Sequence, residues 1–272
     1  SSLDQLLADN PQIRTNQDFI NYCYRNGGNT WNGASEVARG YGQDLNKLVQ
    51  NRSGAIGSGS SQPVTSPPAD GTGHVDAPVV NPGTYDGTQP APGTTNTRAW
   101  IPLDAPLQNR EGDRSASNYA QVINQFAVGN NPRYTPREGN TYCNIFAWDV
   151  TRAMGAEIPH WVKNDGSPAA VGEAGAYELD ANGVNRWLNN HGEANGWRQV
   201  SAEEAQRLAN EGHPCVASWY HSGGIGHISV VRPGELTNKG PAIAQAGSTC
   251  TNSTHVWNIF PSGADVQYWV HE

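Results

Sequence analysis

Residues 53–97 read SGAIGSGSSQPVTSPPADGTGHVDAPVVNPGTYDGTQPAPGTTNT. Glycine, serine, threonine and proline dominate, and no apolar residue recurs at a helix or strand period. A run of this composition buries too little surface to offset the entropy of ordering it. It is therefore expected as a linker. It divides the 272-residue chain into a small unit, 1–52, and a main domain, 98–272. Such a tether raises the local concentration of whatever the two halves bind in common.

Bulk properties exclude several function classes. The net charge of −8 opposes nucleic-acid binding, which needs a basic stripe to neutralise phosphates. No apolar run approaches the roughly 20 residues that cross a bilayer, so no membrane partner is expected. The opening SSLDQLLADNPQ is polar and carries no signal-peptide pattern. Lysine is confined to Lys47, Lys163 and Lys239, while Asn, Gly, Ser and Thr are abundant and tryptophans number nine. This balance leans toward an extracellular protein meeting a sugar-rich or polymeric substrate, and a monomer is expected.

The first unit reads as helical. In NQDFINYCYRNGG, Phe19, Ile20, Cys23 and Tyr24 share helical spacing, and glycines follow that can stop a helix. GASEVARGYGQDLNKLVQNR gives two short helices with a turn at Gly42. Part of this unit resembles the wall-binding LysM module: VARGYGQDLNKLVQN matches its paired helices, and YCYRNGGNT its preceding strand and turn. A small helical bundle with no ligand is the competing reading. A helix-turn-helix also fits the pattern, but the acidic balance opposes it.

The main domain begins with helices and ends with strands. SASNYAQVINQFAV places Tyr119, Val122, Ile123 and Phe126 on one helical face. A loop, GNNPRYTPREGNTY, leads to the helix that Cys143 opens. ANGVNRWLNNHG is a third helix, and SAEEAQRLANEG a fourth, with a Ser201–Glu204 capping box and Gly212 as its stop. HPCVASWYH, GHISVVRP, AIAQAG and DVQYWVHE then read as short strands. Helices followed by an antiparallel meander indicate an α+β fold.

Cys143 stands at the first turn of its helix. Cys143, Phe146, Ala147, Val150 and Met154 share a face, and Asp149 and Arg152 are expected to point elsewhere. Unpaired N–H groups and the positive end of the helix dipole favour a thiolate there, and the same groups suit an oxyanion. A thiol nucleophile needs a base. His227, in SGGIGHISVVRPG, begins an alternating strand behind flanking glycines. His221 is the nearest decoy and is expected to be exposed. The ring needs a polar residue to orient it, and Gln245 breaks the apolar run AIAQA on the next strand, with Asn252 and Ser248 as fallbacks.

TYCNIFAWDV, GGIGHISVVRPG and AIAQAGS together resemble the papain-like cysteine peptidases and amidases of cell-wall metabolism, the NlpC and CHAP group. The resemblance covers roughly residues 115–272. It implies a papain-like fold in which helices pack on a small antiparallel sheet. It makes Cys143 the nucleophile, His227 the base and Gln245 the orienting residue. The NlpC signature DCSGF is YCNIF here, and the third residue of the group is more often His, Asn, Asp or Glu than Gln. The implied activity is hydrolysis of an amide bond in the stem or cross-bridge peptides of peptidoglycan, by a secreted or phage-encoded enzyme. Outside the backbone, Asn140 and Tyr134 are candidates for the oxyanion site. A Cys–His acyltransferase, a protein-directed peptidase and a non-catalytic wall-binding protein on the same scaffold are the rival readings.

The remaining features are weaker. Trp161, in the Pro- and Gly-punctuated IPHWVKNDGS, is the tryptophan expected at a substrate cleft. Of the other cysteines, Cys215 and Cys250 form the pair most suited to a disulfide. NDGS lacks the spacing of a calcium loop, so no metal or cofactor is assigned.

Overall fold

The computed structural model describes residues 2–28, 30–57, 75–76, 85–109, 111–112 and 114–272. The linker expectation for 58–74 and 77–84 lies outside these residues. The first unit holds four short helices: α1 (Leu3–Asp9), α2 (Asn16–Asn26), α3 (Trp31–Gly40) and α4 (Leu45–Gln50). A capping box starts α2: the Thr15 hydroxyl accepts from Asp18 N–H at 3.2 Å, and the Asp18 carboxylate accepts from Thr15 N–H at 2.9 Å. Phe19, Ile20, Cys23 and Tyr24 are all buried, which gives the helix a packed face. The strand implied by the LysM resemblance is thereby corrected, because Tyr22–Asn26 belongs to α2. Helices α2 and α3 meet at two glycines, and a Cβ on Gly33 would lie 1.7 Å from the Gly27 carbonyl oxygen.

The end of the expected linker is not a free tether. Tyr85, Ala91 and Leu107 enter the apolar cluster of the first unit beside Phe19, Ile20 and Leu45. Ala91 N–H donates to Gln125 O at 2.7 Å, and the Gln125 side chain exchanges two bonds with the Leu107 backbone. Proline- and glycine-rich composition alone misses these contacts, because they depend on pockets made elsewhere in the chain. Gln17 donates to Gln108 O at 3.0 Å, and the Arg52 guanidinium reaches Ala105 O, so the first unit is docked on this segment.

The main domain is mixed α and β. Its early elements are β2 (Leu103–Asp104), which pairs in parallel with β1 (Val75–Asp76), then α5 (Ala116–Asn124) and α6 (Cys143–Ala153). A small antiparallel pair follows, β3 (Trp161–Val162) with β4 (Tyr177–Glu178), and then α7 (Ala181–Trp187), which runs on as a wider π-helical turn to Gly192. Next come β5 (Trp197–Val200), α8 (Ala202–Ala209), β6 (Cys215–Trp219), β7 (His227–Val231) and β8 (Ala242–Gln245). The chain ends with β9 (Thr251–His255), α9 (Val256–Ile259) and β10 (Gln267–His271). The antiparallel sheet has the order β5-β10-β6-β7-β8-β9. The expected strands are β6, β7, β8 and β10; β9 is not among them, and β10 does not extend the meander but returns to lie between β5 and β6.

Alternate residues of β6 serve different apolar clusters. Cys215 and Ala217 join Tyr119, Phe146 and Leu208, whereas Val216 joins Cys143, Ala147 and Val184. Burial on both faces explains why β6 and β8 read as nearly continuous apolar runs. Tyr119 pins α5 to the sheet, donating to Val231 O at 2.6 Å and accepting from Cys215 N–H at 3.1 Å. Ser201 caps α8 by accepting from Glu204 N–H, but the Glu204 carboxylate pairs with Arg207 instead of closing the expected box.

The expected Cys215–Cys250 disulfide is corrected here. All four cysteines are free: the Cys215 thiol faces Ala205 O at 3.5 Å and the Cys250 thiol faces Tyr134 O at 3.3 Å. Asp149 is buried, held by Arg133 Nε at 2.7 Å. Arg133 also donates to the carbonyls of Asn96 and Ile101 at 2.8 and 2.9 Å, so one charged pair ties the segment at 96–101 and the loop at 133 to α6.

Candidate active site

Tyr142 precedes α6 without offering its first turn a side-chain cap, so the N–H groups at Cys143 and Asn144 are left to act on the Cys143 sulfur. The loop before them is braced by Arg137, whose guanidinium lies 4.1 Å from the Tyr142 ring centre and donates to Thr97 O at 2.6 Å. Asn144 donates its side-chain amide to Leu179 O at 2.9 Å, fixing the mouth of α6 beside α7.

Cys143 is 5% exposed. Burial pushes its thiol above the ordinary value, and the N–H groups of Ile228, Asn144 and Cys143 oppose this without overcoming it. The Asp180 carboxylate also raises it. The expected resting thiolate is corrected accordingly: desolvation of the charged form outweighs the helix mouth. The influence of Ile228 also places the sulfur beside the first residues of β7.

His227 is the first residue of β7, and its Nε2 lies 3.0 Å from Gln245 Oε1. The orientation of the Gln245 amide follows from its other end. Its Nε2 donates to Thr249 O at 3.0 Å and Thr251 Oγ1 at 3.3 Å, so the carbonyl oxygen faces the ring. An amide oxygen only accepts, so His227 Nε2 carries the proton and Nδ1 is left as the acceptor. Burial lowers the His227 pKa to about 4, although the Gln245 bond pulls it up. Burial thus acts against the charged form of both groups, the Cys143 thiolate and the His227 imidazolium.

Gln245 is 1% exposed and sits where the β8–β9 register shifts. Ile243 pairs with Thr254 but Gln245 with Thr251, so β9 carries an extra residue there. Such bulges re-aim side chains near functional sites. Gly247 leaves the pair its space: a Cβ there would stand 3.1 Å from Gln245 Oε1 and 3.3 Å from His227 Cε1. Phe260 packs edge-on against the imidazole at 5.1 Å.

Other expected residues are placed elsewhere. The Tyr134 hydroxyl donates to Asp149 at 2.6 Å in a fully buried setting, which removes it as an oxyanion donor. Asn140 is exposed and exchanges backbone bonds with Arg137. Trp161 lines a cavity that neither Cys143 nor His227 lines. Ser248 is exposed, and Asn252 is bonded to Asn124 at 3.0 Å. His221 is half-buried and stacked on Trp219, not exposed as expected.

Sequence reading missed Asn182. Its side chain accepts from His221 and Gly226 N–H and donates to the His221 and Gly224 carbonyls, at 2.8–3.1 Å. It clamps the loop entering β7 onto α7, and no local pattern announces bonds made 39 residues or more away. Among the described residues, no cluster of His, Cys, Asp and Glu is arranged to hold a metal ion. No protein-family model matches the chain, and no curated protein sequence is significantly similar to it.

Proposed function

We propose that this chain is a papain-like cysteine peptidase or amidase that hydrolyses an amide bond in the stem or cross-bridge peptides of peptidoglycan. The observation that carries the reading is the 3.0 Å His227–Gln245 bond with its amide orientation set by Thr249 and Thr251. It leaves Nδ1 of His227 as a base of one defined tautomer, next to the strand residue whose N–H acts on Cys143. The substrate class follows from the likeness of TYCNIFAWDV and GGIGHISVVRPG to wall-directed enzymes. Tyr220 and Ile225, 44% and 71% exposed in the loop before His227, offer an apolar rim for a peptide.

In this mechanism the resting thiol and imidazole are both neutral. Nδ1 takes the Cys143 proton as sulfur attacks the amide carbonyl, and the N–H groups at the mouth of α6 receive the developing oxyanion. The imidazolium returns the proton to the leaving amine. Water then hydrolyses the thioester, with His227 again as base. Gln245 holds the ring throughout. The helical first unit is assigned the wall-binding role, and the protein a place outside the cell or in phage lysis.

The test is digestion of purified peptidoglycan by wild type and Cys143→Ala, with released fragments identified by mass spectrometry. Wild type should release peptide fragments and the variant none. Absence of new termini with wild type would reject the hydrolase, and equal release by both would reject Cys143.

A further inference from the structure

A second concavity lies against the other side of α6. Trp148 and Arg152 follow Cys143 by five and nine residues, which puts them roughly 140° and 180° around the helix from it. The cavity has a volume of about 360 Å³, at the lower end of the range for small-molecule sites. Three indoles line it, from Trp100, Trp148 and Trp161, together with Arg152, Glu157 and His160. Trp100 is 50% exposed, whereas Trp148 is only 6% exposed.

The polar groups are held in place by one another. Trp148 Nε1 donates to Glu157 Oε1 at 2.8 Å, and Arg152 lies 3.6 Å from the same oxygen. Glu173, also on the wall, pairs with Lys163 at 3.6 Å. Arg152 also lies 3.6 Å from Asp104, so its charge is taken up within the protein and is not left for an anionic ligand. His160 is 6% exposed, its Nε2 is 3.3 Å from the Glu178 carboxylate, and its Nδ1 makes no hydrogen bond. Since His160 lines the cavity, this ring nitrogen is available to a group from a ligand.

Flat indole faces beside fixed planar donors and acceptors suit a molecule with apolar C–H faces and a rim of hydroxyls. We propose that this cavity binds a pyranose ring of a neutral glycan, stacked on tryptophan and hydrogen-bonded at its rim by Glu157, Arg152 and His160. The assignment rests on the cavity alone and is independent of whether Cys143 cleaves an amide.

The test uses the full chain carrying Cys143→Ala, so that cleavage plays no part in the reading. Chitotetraose and cellotetraose are titrated by calorimetry and by tryptophan fluorescence. At least one should bind saturably with a fluorescence change. Adding Trp100→Ala should weaken it about three- to tenfold, as expected for loss of one stacking face. Trp100 is half exposed, so circular dichroism should show an unchanged fold; Trp161→Phe supplies a milder second variant with a smaller loss. No saturable binding of either sugar up to about 10 mM would overturn the proposal. Binding undiminished in both tryptophan variants would overturn it equally.

Discussion

Helix α6 carries two buried polar centres, and they are built on opposite plans. Around Asp149, every group is closed: the carboxylate accepts from Arg133 Nε and Nη2 and from the Tyr134 hydroxyl, and Arg133 spends its other donors on backbone carbonyls. Around Cys143 the supports are closed but the reactive atoms are open. Gln245 has partners for both ends of its amide and His227 Nε2 has its bond, whereas His227 Nδ1 has no protein partner among the described residues. A buried polar network that only holds structure saturates itself. One that is to act on a substrate leaves a valence for it.

Breaking each centre should therefore fail in a different way. Cys143→Ala should lower peptidoglycan cleavage by on the order of 10⁴-fold or more, as for loss of a catalytic nucleophile, with little change in the thermal midpoint. Asp149→Ala should do the reverse. It strands a buried Arg133 charge and should cost about 3–5 kcal/mol of stability, read by urea denaturation. A stable Asp149→Ala protein would show that the pair is not the anchor described here.

Smaller changes sharpen the contrast. Gln245→Ala should reduce kcat about ten- to hundredfold, the loss of one buried hydrogen bond, and should alter the pH profile because the ring tautomer is released. Gly247→Ala should act in the same direction more weakly, since its Cβ crowds the same two atoms while its backbone needs no positive φ. Unchanged kcat and pH profile in Gln245→Ala would remove Gln245 as a positioning residue.

The pH behaviour carries a defined sign. A thiol raised by burial is protonated at neutral pH, so alkylation of Cys143 by iodoacetamide should climb through pH 9 with no reactive plateau at low pH. Such a plateau would indicate a resting thiolate–imidazolium pair. His227, neutral above its folded pKa of about 4, should sustain activity into mild acid. Its pKa is depressed on folding from an ordinary 6.5, so its contribution to stability is full above pH 6.5 and is lost as pH falls toward 4. Burial lowers His271 as well and adds to that loss. The thermal midpoint should fall across this window, and less steeply in His227→Gln.

What was legible in the sequence was local. Capping residues and helical periods locate α2, α3, α4, α5 and α8, and the glycine-flanked histidine and the polar break at Gln245 identify two residues that meet at 3.0 Å. What was not legible depends on distant partners. That Asp149 points away from the Cys143 face was legible, but its burial against Arg133, 16 residues back, was not. The strand TNSTH has no apolar alternation because β9 is an edge strand with half-exposed side chains. The expected thiolate rested on helix polarity alone, and the burial that opposes it comes from α7 and the sheet. Trp161 does line a cleft, but the tryptophans facing it are 13 and 61 positions back along the chain.

The docking of Tyr85, Ala91 and Leu107 among the first four helices bears on how the chain can be cut or recombined. A fragment beginning at residue 98 would expose Leu107, which packs among the first four helices, and would leave the Gln125 carbonyl without the Ala91 N–H. Any exchange of the N-terminal unit for another must carry residues 85–109 with it. The seam between the halves is thus a shared part of both, and inheritance of one without the other would leave an apolar scar on each.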